Sequence, residues 1–480
     1  MPLDFSGLYN ATDDSHRVTA GGNLEFHWAT AGIGNEHIDH FASIVDDMRV
    51  REKFADMCNG ERINIGEQRS VLHHLLRAQS APNASLSPVW KRFRVENVRA
   101  CELAEELWQE KRFDAVVHIG IGGSALGPEL VMEALSYLPQ RYIVRVVSNV
   151  DPQALISAMK GLNPERTLFL VVSKSGTTQE TNANLQSLNI DSKKQVIAIT
   201  TPKSSLDRPD DFLSVLYMEE SIGGRYSISS PIGACIISLV YGAEQFFAFL
   251  RGMERSDVLC HGENITENAA LLDAVLGVYY RNAREYPAIA VISYVHVLQR
   301  LSAYLQQLDM ESNGKQSDVT GELVDYATGP IVFGEPGTDA QHSFFQFLHQ
   351  GTITVPLQFV GMRNPLDSSE DSQRKQSLLN ANLAAQMVAL ARGQENQNPN
   401  KRFLGGRPST LLLADSLSAE VMGSIIAHFE NKIMFQGFLW NINSFDQEGV
   451  QLGKRLTNQI LHDPRSDLVL YNMARRIGLV

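Results

Sequence analysis

The chain has 480 residues and a formal net charge of −12, with 44% hydrophobic and 20% charged residues. A single hydrophobic core rarely grows past about 250–300 residues, so two domains, or one α/β assembly of two halves, are expected, and the composition excludes general disorder. The acidic balance speaks against nucleic acid as a partner, since no basic excess is available to displace counterions, although a local pocket of Arg and Lys could still hold an anion. Cys58, Cys101, Cys235 and Cys260 show neither C-x-x-C spacing nor a Cys/His cluster. That pattern fits reduced thiols in a cytoplasmic protein and suggests no metal site. No signal peptide is apparent, and no apolar run reaches the ~18 residues of a membrane span. The sequons at Asn10, Asn83 and Asn264 therefore carry no weight.

Residues 1–90 read as mostly helical and irregular, with amphipathic stretches over 38–54 and 68–79, and Pro82 and Pro88 break the loop that follows. From about residue 95 the pattern becomes α/β. A helix over 95–113 leads to a strand over 114–119, a glycine loop over 120–127 and a helix from 128. Strands over 141–147, 167–172 and 195–200 alternate with helices. Short strands that are apolar throughout indicate a parallel sheet covered on both faces, whose ligands bind outside the carboxyl ends of the strands. A second α/β region starts near 275, with strands over 288–294, 329–334, 354–362 and 411–415. Helices are expected over 297–311, 340–350, 419–440 and 447–461. The expected fold class is α/β, with two doubly wound parallel-sheet domains and extra N- and C-terminal helices. The expected bounds are 1–90 for a helical segment, 91–250 and 270–465 for the domains, and 466–480 for a tail.

Two loops sit at predicted strand ends. In Ser173-Lys174-Ser175-Gly176-Thr177-Thr178, five of six positions are small or hydroxylic. Hydroxyls, backbone N–H groups and a helix N-terminus suit a phosphate, and Lys174 adds charge. An ordinary N-cap needs only one such residue. Gly120 to Ala125 fits G-x-G-x-x-A, the dinucleotide fingerprint, but the acidic residue that should end the next strand is missing, and Asp151 comes too late. The same loop also reads as a tight strand–helix turn, or as a place where Gly123 and Ser124 touch a sugar.

Gly223-Gly224-Arg225 sets an arginine fork, suited to anionic oxygens, behind two glycines, and a plain surface turn reads the same way. Leu298, Leu301, Tyr304, Leu305 and Leu308 fall at helical spacing, which puts Glu311 at a helix C-terminus. The dipole there disfavours an ionised carboxylate and favours one that accepts a proton. Thr338 to Gln341 matches a capping box, so His342 is expected in the first turn of a helix with His349 on the same face, and local sequence does not choose between them. Gln447 and Lys454 lie seven apart, two turns along one helix face, and Lys454 reads as an anion ligand or a surface lysine.

The stretches IGIGGSALGPEL, SKSGTTQET, GGRYS, QQLDMESNGK, GPIVFGEPGTDAQHSFFQFLHQGT and INSFDQEGVQLGK resemble the glucose-6-phosphate isomerase family, in the family's order, across roughly residues 115–460. The resemblance implies two sugar-isomerase domains, no metal or organic cofactor, and a homodimer whose ring-opening histidine reaches the partner's site. It implies interconversion of glucose 6-phosphate and fructose 6-phosphate through an enediolate. By position it assigns Glu311 as the proton shuttle, His342 and Lys454 to ring opening, and Arg225 to the enediolate. Ser173, Lys174, Ser175, Gly176, Thr177 and Thr178 would surround the phosphate, while Gly123, Ser124, Gln307 and Gln447 would touch the sugar. His349 is not the family's catalytic histidine. Gly176 stands where many relatives carry an aromatic, and Glu448 where many carry tryptophan. Selectivity for mannose 6-phosphate, a non-catalytic sugar-phosphate sensor and a nucleotide-dependent oxidoreductase are the competing readings.

Overall fold

The computed structural model describes residues 1–9 and 16–480. The sequon at Asn10 lies outside the described residues. The chain divides into two compact units, Met1–Ser444 and Phe445–Val480.

The first unit opens with a 3₁₀ turn, Ser6–Tyr9, and has a hairpin made of β1 (Arg17–Gly21) and β2 (Leu24–His27). The reading of residues 1–90 as mostly helical and irregular does not include this hairpin, while the helices Asn35–Asp47 and Val50–Cys58 fall within it. Leu24 and Phe26 are fully buried while Glu25 and His27 are not, which is the two-residue period of a half-buried strand. The expected helix over 38–54 breaks at Arg49, whose φ is 52°, into Asn35–Asp47 and Val50–Cys58. Of the stretch 68–79, only a 3₁₀ turn, His73–Leu76, is helical. Pro88 falls in the first turn of the helix Ser87–Glu110, where a missing N–H is harmless.

A five-stranded parallel sheet follows, made of β3 (Ala115–Ile119), β4 (Ile143–Val147), β5 (Thr167–Val172), β6 (Val196–Thr200) and β7 (Ser214–Tyr217). Its order is β4-β3-β5-β6-β7. β3, β5 and β6 are buried along their whole length, as inner strands covered on both faces should be, whereas β4 alternates at the edge. The order reverses between β3 and β5, so the glycine loop after β3 and the hydroxyl loop after β5 flank the switch point of the sheet. Asp151, too late for a nucleotide ribose, instead caps the helix Pro152–Met159 by accepting from Gln153 N at 2.9 Å.

β8 (Ala288–Ser293), β9 (Ile331–Phe333), β10 (Leu357–Met362) and β11 (Ser409–Ala414) repeat the same order, β9-β8-β10-β11, with every pairing parallel. β2 then adds antiparallel to β11, pairing Phe26 with Leu412, and β1 closes the edge. The α/β class with parallel sheets holds, with this antiparallel hairpin as an addition. The helix Ala419–Leu439 is buried on every side but for Glu420. Its Ser424 hydroxyl donates to Gly252 O on the helix Ala243–Leu259 at 2.9 Å. Its charged residues are paired rather than stranded: Glu430 with Arg77, and Lys432 with Asp273 at 3.0 Å.

The second unit holds the helices Gln451–His462 and Leu468–Arg476. Asp467 caps the latter, accepting from Val469 N and Leu470 N at 2.8 and 3.0 Å.

Candidate active site

Glu311 ends the π segment Gln306–Glu311 of a helix that starts as an α-turn at Leu301–Leu305 and runs on through Asn313. All five apolar residues that predicted this helix are buried. A π-turn inside a helix shifts the phase of its side chains and is frequent at functional sites. The side chain of Glu311 keeps 18% of its surface, and Oε1 lies 3.8 Å from Nη1 of the buried Arg225.

Several groups fix that guanidinium. Nε donates to Ser312 Oγ at 2.7 Å and Nη2 donates to Ser444 O at 2.6 Å. The hydroxyls of Tyr226 and Ser312 lie 3.1 Å apart, and Ser444 Oγ donates to Asn313 Oδ1 at 2.7 Å. A planar fork held at two corners presents its remaining edge in one direction. The Gly-Gly-Arg segment is therefore no solvated surface turn.

The glycine loop meets this arginine loop backbone to backbone. A Cβ at Gly123 would fall 2.2 Å from Gly224 C and 2.5 Å from Arg225 N, so only glycine allows this approach. On its other side, a Cβ at Gly122 would come 3.0 Å from Gln307 Nε2. Ser124 is half-buried, and its carbonyl accepts from His118 Nε2 at 2.6 Å. A carbonyl can only accept, so this ring nitrogen carries the proton. Burial pulls the His118 pKa down to about 4, which keeps the ring neutral.

In the hydroxyl loop Ser173 Oγ lies 2.8 Å from Thr178 Oγ1, and Ser175 Oγ lies 2.9 Å from Thr177 Oγ1. Ser175 and Thr177 are exposed, and Thr178 occupies the N-cap position of the helix Gln179–Ser187 without a side-chain cap bond. Gly176 has φ +68°, and a Cβ there would meet Ser205 Oγ at 2.7 Å. Its carbonyl accepts from Asn182 Nδ2 at 2.9 Å and from Ser205 Oγ at 2.5 Å. The Lys174 ammonium donates to Glu220 O and Ile222 O, each at 2.7 Å.

Gly123, Ser124, Gln307, Glu311 and Arg225 thus come together through a few direct contacts, and Lys174 links the hydroxyl loop to the arginine loop. His342 is exposed and sits at the C-terminal end of the five-residue helix Gly337–Gln341, not in a first turn. The capping box does not form, because Pro336 is the cap and no side-chain cap bond is made. The helix expected over 340–350 splits, and His349 lies on the separate helix Phe345–Gln350, bonded to Gln386 Oε1 at 2.9 Å. Among the described residues no hydrogen bond or ion pair joins His342 to the Arg225–Glu311 pair. In the second unit Lys454 is exposed on its helix. Gln447 precedes the 3₁₀ turn Glu448–Val450 with φ −149°, so the two do not share a helix face.

Ser312, Ser444, Asn313 and His118 were not foreseen from sequence. The only available hint for Ser312 and Asn313 was their adjacency to Glu311. Among the described residues no cluster of three or more His, Cys, Asp or Glu could hold a metal ion. A carboxylate beside a fixed guanidinium can move a proton while positive charge steadies the oxyanion that forms.

Known proteins resemble the whole chain. The family model for phosphoglucose isomerase matches residues 27–474. A glucose-6-phosphate isomerase from Treponema denticola is 44% identical over 467 residues, covering 93% of this chain and 89% of its own. One from Borreliella afzelii is 38% identical over 485 residues, covering 95% and 92%. The crystal structure of a glucose-6-phosphate isomerase from Chlamydia trachomatis superposes with a TM-score of 0.92 at 35% identity, covering 100% of this chain and 96% of that one. The chain belongs to the phosphoglucose isomerase family.

Proposed function

We infer that this chain is an aldose–ketose isomerase interconverting D-glucose 6-phosphate and D-fructose 6-phosphate, a step of glycolysis and gluconeogenesis. The observation that carries this reading is Glu311 at 3.8 Å from an Arg225 guanidinium anchored at two other corners. Glu311 takes the proton from C2 of the opened aldose and returns it to C1. Arg225 stabilises the enediolate between them, as preorganised positive charge does where an oxyanion develops. Ser173, Ser175, Thr177 and Thr178 hold the phosphate, whose binding energy orients the reacting carbons. Gly123, Ser124, Gln307 and Gln447 contact the sugar. His342 and Lys454 open the ring, with His342 serving the partner's site in a homodimer. The two sheet-bearing halves are the two sugar-isomerase domains. Four free cysteines fit a reducing cytoplasm. No described helix is long and apolar enough to cross a membrane.

The test is to incubate pure protein with fructose 6-phosphate, without nucleotide or metal, quench the reaction, and then measure the glucose 6-phosphate formed with a dehydrogenase and its nicotinamide nucleotide added only after the quench. Steady formation is the expected result. No turnover by folded protein would leave a sugar-phosphate-binding protein.

A further inference from the structure

We propose that Lys174 is a positioning residue for Arg225: its ammonium ties the hydroxyl loop to the arginine loop and is not a phosphate ligand. The proposal rests on reading residues 173–178 as the phosphate loop, and it goes beyond that reading.

The main chain and side chain of Lys174 belong to two different loops. Its carbonyl accepts from Thr201 N at 3.2 Å and from Thr201 Oγ1 at 2.8 Å, which fixes the backbone to the end of β6. Its side chain crosses to the segment after β7 and donates to Glu220 O and Ile222 O, each at 2.7 Å. Those carbonyls stand five and three residues before Arg225. The segment between them contains no strand, only a turn in which Ile222 N donates to Glu219 O at 3.1 Å and a 3₁₀ turn, Gly224–Tyr226.

Hydrogen bonds from an ammonium are roughly twice as strong as neutral ones. Two of the three ammonium donors are thus committed to the arginine loop, and swinging the ammonium over to a phosphate would take this partner from the carbonyl of the buried Ile222. Desolvation is severe enough to pull the Lys174 pKa down to about 8, with Arg69 and Arg225 adding like charge against Glu67 and Glu220. In the position it occupies, the ammonium holds the approach to Gly224 and Arg225, which Gly123 and Ser312 engage from other sides. A phosphate settling on the hydroxyl loop thereby stiffens the loop that carries the enediolate-stabilising charge, which is how remote binding energy reaches the reacting carbons.

The experiment begins with Lys174→Met, which keeps the apolar stem and removes the donors. With fructose 6-phosphate, kcat should fall about tenfold or more, while KM and the inhibition constant of inorganic phosphate stay within about threefold. Adding Lys174→Met to Arg225→Lys should cost little beyond Arg225→Lys alone, because both act on one guanidinium. A phosphate inhibition constant raised tenfold or more with kcat intact would overturn the proposal, as would losses that multiply in the double variant. If Lys174→Met does not fold, wild-type enzyme is footprinted with acetic anhydride, with and without inorganic phosphate. Acetylation of Lys174 should be slow in both samples, and fast acetylation that phosphate suppresses tenfold would identify a ligand. Ser175→Ala with Thr178→Ala tests the phosphate loop separately by its phosphate inhibition constant. Were that constant unchanged, the phosphate assignment would fall, and the Lys174–Arg225 double variant would still decide the positioning role.

Discussion

Arg225 Nε donates to Ser312 Oγ at 2.7 Å, so the guanidinium that faces Glu311 is anchored on the residue next to Glu311. Base and cation therefore share one support, and a small shift of the helix end moves both. Ser312→Ala leaves a buried charged donor short of a partner, worth about 1–3 kcal/mol. We expect kcat to drop about 10- to 100-fold with KM little changed. Steady-state kinetics with fructose 6-phosphate check this, and an unaltered kcat would mean that the fork keeps its place without Ser312.

Glu311→Gln is nearly isosteric and removes the proton acceptor. Losing a positioned general base costs about 10²- to 10⁴-fold in turnover. Binding of sugar phosphate, followed by calorimetry, should persist. A variant that keeps more than about a tenth of wild-type turnover would assign the proton transfer to another group.

Gly123→Ala places a methyl 2.2 Å from Gly224 C, where neither backbone can easily yield. The arginine loop must move. We expect kcat/KM to fall by about two orders of magnitude, the scale on which a displacement of about 1 Å affects a preorganised site. Gly224→Ala serves as the control, since a Cβ there meets nothing within 4 Å. Equal losses in the two variants would show that the close approach is not what matters.

Complementation tests whether His342 serves a partner subunit. Glu311→Gln and His342→Ala chains should each be nearly inactive as homodimers. An isolated heterodimer should regain about half the wild-type activity per dimer, because one of its two sites receives both intact groups. A folded heterodimer as inactive as its parents would mean that each chain completes its own site.

Asp309 supplies a pH signature of stability. Burial raises its pKa from 3.8 to about 7, with Lys432 and the Asn313 amide opposing the shift. Between those values the folded chain binds more protons than the unfolded one, so this group lowers stability as pH rises from about 4 through 7. Asp309→Asn does not titrate. Its Tm relative to wild type should therefore rise between pH 5 and pH 8, measured by calorimetry. A constant difference would indicate that Asp309 stays charged in the fold.

Much of this molecule is legible in its sequence because the signals are local. β3, β5 and β6 are continuous apolar runs, and their burial follows from having helices on both sides. Glycine and hydroxyl residues at the ends of β3 and β5 mark the loops that flank the switch point. The helix leading to Glu311 announces itself by apolar spacing, although the spacing cannot tell an α-turn from the π-turn that forms. The short hairpin at Arg17–His27 was also readable, since Gly21-Gly22 lies between alternating residues, but a four-residue strand among helical neighbours gives a weak period.

The rest was decided by tertiary structure. β2 becomes a strand of the second sheet by pairing with β11, nearly 400 residues away, where Thr30 Oγ1 also donates to Ser409 O at 2.8 Å. Arg225 looks like a solvated turn residue until Ser312, 87 positions on, and Ser444, 219 positions on, take its donors. From sequence Lys174 only adds charge to its loop, and the fold brings its ammonium to two carbonyls on another loop. By itself the sequence determined residue types, periods and the order of motifs, because those depend on neighbours within a turn or two. Where each side chain points and what satisfies it depend on groups far along the chain, which only the closed fold brings within hydrogen-bonding reach.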